Sequence, residues 1–355
     1  MQRRTRRPFR VAWLLSIVAA GAAMAETASP VTLPALPLDS RSVTVSGISS
    51  GGAMAVQFHT AHSRLVQGAG VLAAPPYLCA ENNVALALGR CMKGGEPIPV
   101  ERLLQRAEGL ARAGAIDPVE GMAQDRVWLY RGAADPHVRV EVADALERYY
   151  LARTQAAAVQ RVERPGAGHN FPVATAGAAP CSASEPPYLA SCEYDGARRL
   201  LEHLYGPLAP GAATDRLSPL VAFDQRPFAT AAGSVALADQ GWLYVPAACG
   251  AGAGRTCRLH VVFHGCKQGV ADVGDAFARR AGYLEVAEAN RIVVLFPQVK
   301  PTLLPLNPLG CWDWWGYEGE DYATRDGRQV AAVRAMIGAL LAPAPSAGGS
   351  DARSP

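Results

Sequence analysis

The chain is short of charge and of aromatic side chains. Charged residues make up 18% of the 355 positions and aromatic residues 7%, while hydrophobic residues make up 50%. So apolar and weakly charged a composition does not describe a disordered chain. No basic stripe remains once the first residues are set aside, so no nucleic-acid partner is expected. There are only seven His, spaced H-x₃-H at just one place, His260 and His264, and the Cys residues contain no C-x₂-C pair. Neither a metal nor another cofactor is expected on that spacing. Long apolar runs are also lacking. Val11 to Ala22 is too short and too Ala-rich to favour a membrane-spanning helix, and no second run approaches that length, so no membrane partner is expected.

What is present at the start reads as an export signal. Arg3, Arg4, Arg6, Arg7 and Arg10 precede that apolar run, and Ala23-Met24-Ala25 follows it as an A-x-A cleavage site. Thr5-Arg6-Arg7-Pro8-Phe9 also fits a twin-arginine signal, which leaves the export route open. The expectation is a secreted or periplasmic protein cleaved near Ala25. The formal charge is +3, and losing the five Arg of the leader brings the mature chain to −2. Eight Cys follow the leader, an even number that implies disulfides in an oxidising compartment. Nearest-neighbour pairing is the expectation: Cys79 with Cys91, Cys181 with Cys192, Cys249 with Cys257, and Cys266 with Cys311.

Apolar strand-like runs alternate with helix-like ones along the chain. Residues 42–49, 68–74, 126–131, 158–162, 241–246, 258–263 and 292–297 read as strands. Residues 50–63, 100–113, 140–154, 276–290 and 329–341 read as helices. That alternation predicts an α/β fold with a mostly parallel central sheet flanked by helices. The expected division is a signal peptide over 1–25, a loose lead-in over 26–41, one catalytic domain over 42–341 and a disordered tail over 342–355. A monomer is expected.

Glycine, at 35 residues, is concentrated where chemistry is needed. Gly47-Ile48-Ser49-Ser50-Gly51 lies between the first strand and the first helix. A G-x-S-x-G in that setting is the nucleophile elbow of serine esterases. Ser49 is the candidate nucleophile, and a helix N-terminus behind it offers N–H groups to developing negative charge. Such a nucleophile needs a base, and the base needs an orienting partner. Asp135 directly follows the strand 126–131, and His169 lies in the Gly-rich loop 165–171 after the strand 158–162. The order Ser49, Asp135, His169 is that of α/β-hydrolases. His59 and His62 are competing bases, but they belong to the helix behind the elbow and point away from it. The bland readings are a Gly/Ser turn, an Asp-Pro turn residue and a loop histidine without chemistry.

One feature is out of order. A strand running into His-Gly normally supplies the second oxyanion donor upstream of the nucleophile, yet His264-Gly265-Cys266 lies far downstream of Ser49. Moving residues 235–341 ahead of residue 42 restores the ordinary order, which predicts a circularly permuted α/β-hydrolase with neighbouring termini.

Taken with Ser46–Gly52, Gly132–Asp135, Gly168-His169-Asn170, His264–Gln268 and Asn307–Trp315, the chain over residues 40–341 resembles the secreted poly(3-hydroxybutyrate) depolymerases of the single-domain, circularly permuted type. The resemblance implies Ser49 as nucleophile, His169 as base and Asp135 as orienting group. It implies the backbone N–H groups of Ser50 and Cys266 as the oxyanion hole. It implies that Asn307 and Trp312 line the substrate crevice, with Trp314 and Trp315 as the alternatives to Trp312. The implied substrate is a polyester or oligomer of a 3-hydroxyacid. With 14 residues after the last predicted helix, amorphous polymer or soluble oligomers are the expected form. The rival readings are a secreted carboxylesterase acting on feruloyl or acetyl esters of polysaccharide, and a non-catalytic binding protein on the same fold.

Overall fold

A computed structural model describes residues 30–175, 178–250 and 255–343. The expected signal peptide and cleavage site, and the expected tail beyond residue 343, lie outside the described residues. The chain enters its sheet in the middle. β1 (Leu38–Ile48) passes through Ser49 into α1 (Ser50–Ala61). Then come β2 (Val66–Leu72), α2 (Val84–Leu88), α3 (Val100–Arg112), β3 (Arg126–Gly132), α4 (Val140–Leu151) and β4 (Val159–Arg164). A small sheet of short parallel strands follows, β5 (Phe171–Val173), β6 (Ala179–Pro180) and β7 (Leu189–Ser191), and after it α5 (Gly196–Tyr205). The chain then crosses to the far edge with β8 (Leu220–Asp224) and α6 (Arg226–Ala232). It works back through β9 (Gln240–Tyr244), β10 (Cys257–Phe263), α7 (Val270–Val273), α8 (Ala276–Arg280), α9 (Tyr283–Asn290) and β11 (Ile292–Phe296), and ends in α10 (Arg328–Leu341). The main sheet has the order β4-β3-β2-β1-β10-β11-β9-β8. Only β9 runs against its neighbours. The fold is α/β with a mostly parallel central sheet, as the alternation predicts.

The sheet is apolar on both faces, as parallel strands covered by helices must be. β11 is Ile-Val-Val-Leu-Phe, and every residue of it is buried. Successive side chains point to opposite faces. Val43, Val45, Val71, Val127, Val261 and Val293 meet the helices of one side. Ile48, Leu72, Tyr130, Val262, Val294 and Phe296 meet those of the other. β1 and β10 pair in the centre, with Gly47 opposite Phe263. Their C-terminal ends therefore emerge side by side, where Ser49 and His264-Gly265-Cys266 begin.

Several expectations need correction. The described part of the lead-in is fastened to the domain. The Val31 N–H donates to the Ala222 carbonyl at 3.0 Å, the Leu36 N–H donates to the Leu340 carbonyl at 2.9 Å, and the Leu36 side chain is buried. The helix expected over 276–290 is two helices, because Gly282 takes φ 87° between them. The elements between residues 171 and 232 have no counterpart among the strands and helices read from the sequence. All four disulfides join the expected partners. Among the described residues, no helix is long and apolar enough to cross a membrane, and no group of three or more His, Cys, Asp or Glu could hold a metal ion.

Candidate active site

The elbow is shaped by contacts that leave no room for side chains. A Cβ at Gly47 would run into the Gly51 carbonyl, and one at Gly51 would meet the carbonyl oxygens of Phe263 and His264. Both positions must be glycine for β1 to turn straight into α1 beneath the end of β10. Ser49 is held at φ 58° and ψ −124°, a conformation that non-glycine residues rarely adopt. Its own N–H donates to the Leu72 carbonyl at 2.9 Å, so β2 pins the strained residue from the other side.

Asp135 and His169 come from the loops after β3 and β4, and these loops are bonded to each other. The Ala133 N–H donates to the Arg164 carbonyl, and the Ala134 N–H to the Ala167 carbonyl, each at 2.9 Å. His169 Nδ1 donates to Asp135 Oδ2 at 2.7 Å, while Asp135 Oδ1 accepts the N–H groups of His137 at 2.7 Å and Val138 at 2.9 Å. Burial would raise the Asp135 carboxyl. The His169 hydrogen bond and charge and the two backbone donors outweigh it and hold the group below its ordinary value. Asp135 is thus a buried carboxylate with both oxygens occupied, which fixes the imidazole's tautomer. The β5–β7 loop supports His169 from behind. Its N–H donates to Ser184 Oγ at 2.8 Å, and Asn170 Nδ2 donates to the carbonyls of Cys181 at 2.7 Å and Ala183 at 2.8 Å. The disulfide Cys181–Cys192 closes that loop.

The His264-Gly265-Cys266 turn passes over the elbow. A Cβ at Gly265 would stand 3.4 Å from the Cβ of Ser49. The turn is braced internally. Gln268 Oε1 accepts the Gly265 N–H at 2.7 Å, and Gln268 Nε2 donates to the Pro187 carbonyl at 2.8 Å. His264 Nε2 accepts the Val299 N–H at 3.1 Å, so Nδ1 carries the proton and donates to the Gly265 carbonyl at 2.7 Å. Burial lowers the His264 pKa to about 4, which keeps the ring neutral at neutral pH. Among the described residues, the N–H groups of Ser50 and Cys266 have no acceptor. Two free donors therefore flank Ser49, as an oxyanion site requires.

Ser49 sits where two cavities meet. One, of about 180 Å³, includes His137, His169, Tyr188, Lys267 and Gln268. The other, of about 260 Å³, is walled by Pro75, Val84, Leu88, Pro308, Trp314 and Trp315. Ser49, Met92, Cys266 and Leu309 border both, so the two form one crevice. The exposed walls of both arms are mostly apolar, but the arm with His137, His169 and Lys267 carries most of the polar side chains and is called the polar arm, the other the apolar arm.

No family model matches the chain. A poly(3-hydroxybutyrate) depolymerase of Delftia acidovorans is 42% identical over 326 residues, and these span 90% of this chain but 64% of that protein. A polyhydroxybutyrate depolymerase of Talaromyces funiculosus is 33% identical over 343 residues, spanning 92% of this chain and 96% of that one. The chain belongs to the polyhydroxybutyrate depolymerase family. The crystal structure of the depolymerase from Penicillium funiculosum matches with a TM-score of 0.81 at 32% identity, covering 87% of this chain and 98% of that one. A serine-to-alanine variant of a PHB depolymerase, complexed with an R3HB trimer, matches with the same TM-score at 31% identity.

Within this family member, the residues singled out in the sequence do not all reach the crevice. Ser49, Asp135, His169, Ser50 and Cys266 are brought together. Asn307 borders the apolar arm, but its amide is engaged in its own loop. Nδ2 donates to the Cys311 carbonyl at 2.9 Å, and Oδ1 accepts the Cys311 N–H at 2.9 Å. Trp312 requires a correction, because it is fully buried and lines neither arm. Its ring packs across Phe263 at 5.0 Å, and its backbone N–H donates to Ser50 Oγ at 3.3 Å. The link from Cys311 to Cys266 carries this stretch beneath the oxyanion turn, and Trp314 and Trp315, further along, form the wall. His59 is no rival base. It is buried at the other end of α1, with Nε2 bonded to Asp125 at 2.9 Å. His62 is likewise buried and outside the crevice. The sequence reading passed over Met92, His137 and Tyr188. The only local signal was the position of His137, two residues beyond Asp135. Tyr188 reaches the crevice through the small sheet, which has no periodic pattern long enough to read.

Proposed function

We propose that the chain is a serine esterase that hydrolyses ester bonds of poly(3-hydroxybutyrate) or its oligomers through an acyl-enzyme. Ser49 Oγ attacks the ester carbonyl while His169 takes its proton. The tetrahedral oxyanion is held by the N–H groups of Ser50 and Cys266. His169 then protonates the departing hydroxyl, with Asp135 stabilising the imidazolium. Water repeats the sequence on the acyl-enzyme and releases the acid. The observation that carries this reading is the 2.7 Å bond between Asp135 and His169 beside Ser49, at the junction of a polar and an apolar arm. A neutral, methyl-bearing polyester suits walls of Trp, Leu and Pro. Leu303, Leu304 and Leu306 are 81%, 89% and 68% exposed, and Leu306 borders the apolar arm. Such a patch is unusual on a soluble surface and fits contact with a water-insoluble substrate.

The same reading places the mature protein outside the cytoplasm after cleavage near Ala25, where its four disulfides would be stable. It also takes the fold as a circular permutation. The bond between Leu36 and Leu340 brings the two ends of the domain together, so a short connection there and an opening before residue 235 would yield the ordinary strand order. The test is clearing of an amorphous poly(3-hydroxybutyrate) suspension by the purified protein, with product lengths measured, and loss of clearing in Ser49→Ala. A protein that cleaves p-nitrophenyl esters but neither clears polymer nor cuts oligomers would point to the general carboxylesterase reading.

A further inference from the structure

The two arms of the crevice differ in charge. Lys267 lines the polar arm, whereas no residue bordering the apolar arm carries an ionisable side chain. Lys267 stands in an unusual place. Its backbone is at φ 55°, where glycine or asparagine is the ordinary choice, and its N–H is fixed to the Leu309 carbonyl at 2.7 Å. It follows Cys266 directly, so its side chain starts one residue from an oxyanion donor. Its charge is felt by the Asp272 carboxylate, but the two form no ion pair within 4.0 Å among the described residues. A strained backbone carrying an unneutralised cation beside the nucleophile calls for a functional reason.

The direction of the substrate follows from His169. The departing hydroxyl must take its proton from that ring, and His169 borders the polar arm but not the apolar one. The leaving fragment therefore occupies the polar arm, and the acyl fragment lies along Trp314 and Trp315. In a 3-hydroxyacid polyester the leaving fragment is the one that ends in the free carboxylic acid. Attack by Ser49 Oγ forms the new ester bond, and the old C–O bond breaks. The proton passes from His169 to the alkoxide, and the released piece carries a hydroxyl at one end and a carboxylate at the other. Resting on the proposed polyester activity, we infer that Lys267 receives the terminal carboxylate of the substrate, so the enzyme prefers to cut close to the acid end. His137 and Tyr188 line the same arm and supply neutral hydrogen-bonding groups beside it. Burial and then the neighbouring His169 lower the His137 pKa, which leaves Lys267 as the arm's positive charge.

The test compares the (R)-3-hydroxybutyrate trimer as free acid with its methyl ester, which differ by one terminal charge. The wild-type enzyme should favour the acid in kcat/KM by about fivefold at low ionic strength, as a partly exposed ion pair allows. The preference should sit in KM and shrink at 0.5 M salt, where charges are screened within a few ångströms. Lys267→Asn relieves the backbone strain and should bring the acid-to-ester ratio to about one, while Lys267→Arg should keep it. Equal kcat/KM for acid and ester in the wild type, or a ratio untouched by Lys267→Asn, overturns the inference while the esterase reading stands. Cleavage of neither trimer overturns the polyester reading and this one together.

Discussion

The nucleophile elbow and the tryptophan wall face the same crevice but are built in opposite ways. The elbow is local. Glycines at 47 and 51, a strand before and a helix after set the turn at Ser49, and only the close approach of Phe263 and His264 and the bond to Leu72 come from further off. The wall is held from a distance. Asn307, Cys311, Trp312 and Asp313 spend their polar groups on each other and on partners remote in sequence. Cys311 is bridged to Cys266, Gln57 Nε2 donates to the Asp313 carbonyl at 2.9 Å, and Gln329 Oε1 accepts the Asp313 N–H at 2.8 Å. The Asp313 carboxylate accepts the N–H groups of Gly316, Tyr317 and Glu318. Chemistry thus rests on short-range sterics and substrate shape on long-range ties. Damage to the first should abolish turnover and spare the fold, and damage to the second should do the reverse.

The largest expected effect is on the elbow side. Asp135→Asn keeps the size of the side chain but removes the charge that orients and stabilises the His169 imidazolium. Analogous triads lose on the order of 10⁴ in kcat. Measured with p-nitrophenyl butyrate, the variant should show that scale of loss with an unchanged melting temperature. A wild-type rate would remove Asp135 from the triad. The wall's counterpart is Trp312→Ala. Deleting a fully buried indole from against Phe263 should cost about 3–5 kcal/mol of stability. Trp312→Phe should cost far less, since the indole Nε1 is buried without a partner and phenylalanine keeps the ring contact. Equal stability in wild type and Trp312→Ala would mean the segment is not held as described.

That division also explains what was legible. The elbow, Asp135, His169 and the His-Gly-Cys turn each lie at the end of a strand whose apolar pattern is plain, so sequence order alone placed them. The disulfides close short loops, with the exception of Cys266–Cys311. Which tryptophan lines the crevice was not legible. Trp312, Trp314 and Trp315 are near neighbours in one segment, and only the bridge to Cys266 and the packing on Phe263 decide which one turns inward. The 171–232 region was largely silent for another reason, although the ten-residue α5 in it has a helical apolar face that was legible. β5, β6 and β7 are two or three residues long and β8 is a partly exposed edge strand, too short for a period-2 signal. The lead-in looked loose because it is Pro-rich, and a single buried leucine, Leu36, anchors it.

A smaller effect tests the joint between the two regions, at His264. Its ring is neutral in the folded protein because burial lowers its pKa to about 4 from the ordinary 6.5. The unfolded chain takes up a proton on this residue below pH 6.5 and the folded one does not. Its contribution to stability is therefore complete above pH 6.5 and is lost as the pH falls toward 4, on the order of 3 kcal/mol. Asp313, pushed up to about 6 by burial despite its three N–H donors, works the other way between pH 6 and 3.8. A His264→Gln variant isolates the histidine. Its melting temperature should fall less steeply than the wild type's between pH 6.5 and 4. Parallel curves would show that His264 is protonated in the folded state.

The smallest effect separates the wall's two functions. Trp314 borders the apolar arm, and its ring meets Trp315 edge-on at 5.6 Å between centroids. An acyl chain longer than one unit reaches these rings, but the acyl group of a p-nitrophenyl acetate does not. Trp314→Ala should therefore weaken turnover of a 3-hydroxybutyrate oligomer by roughly 1–2 kcal/mol of lost apolar contact, or about five- to thirtyfold in kcat/KM, while the small ester changes little. The contrast with Trp312→Ala is in which quantity moves. Trp312→Ala should lower the melting temperature and affect both substrates alike once the protein is kept cold enough to stay folded, because its ring lies beneath the oxyanion turn and not in the path of the chain. If Trp314→Ala lowers both substrates equally, the wall supports the turn and does not bind substrate. The division between a local chemical region and a distant shaping region would then have to be redrawn, with Trp314 on the structural side.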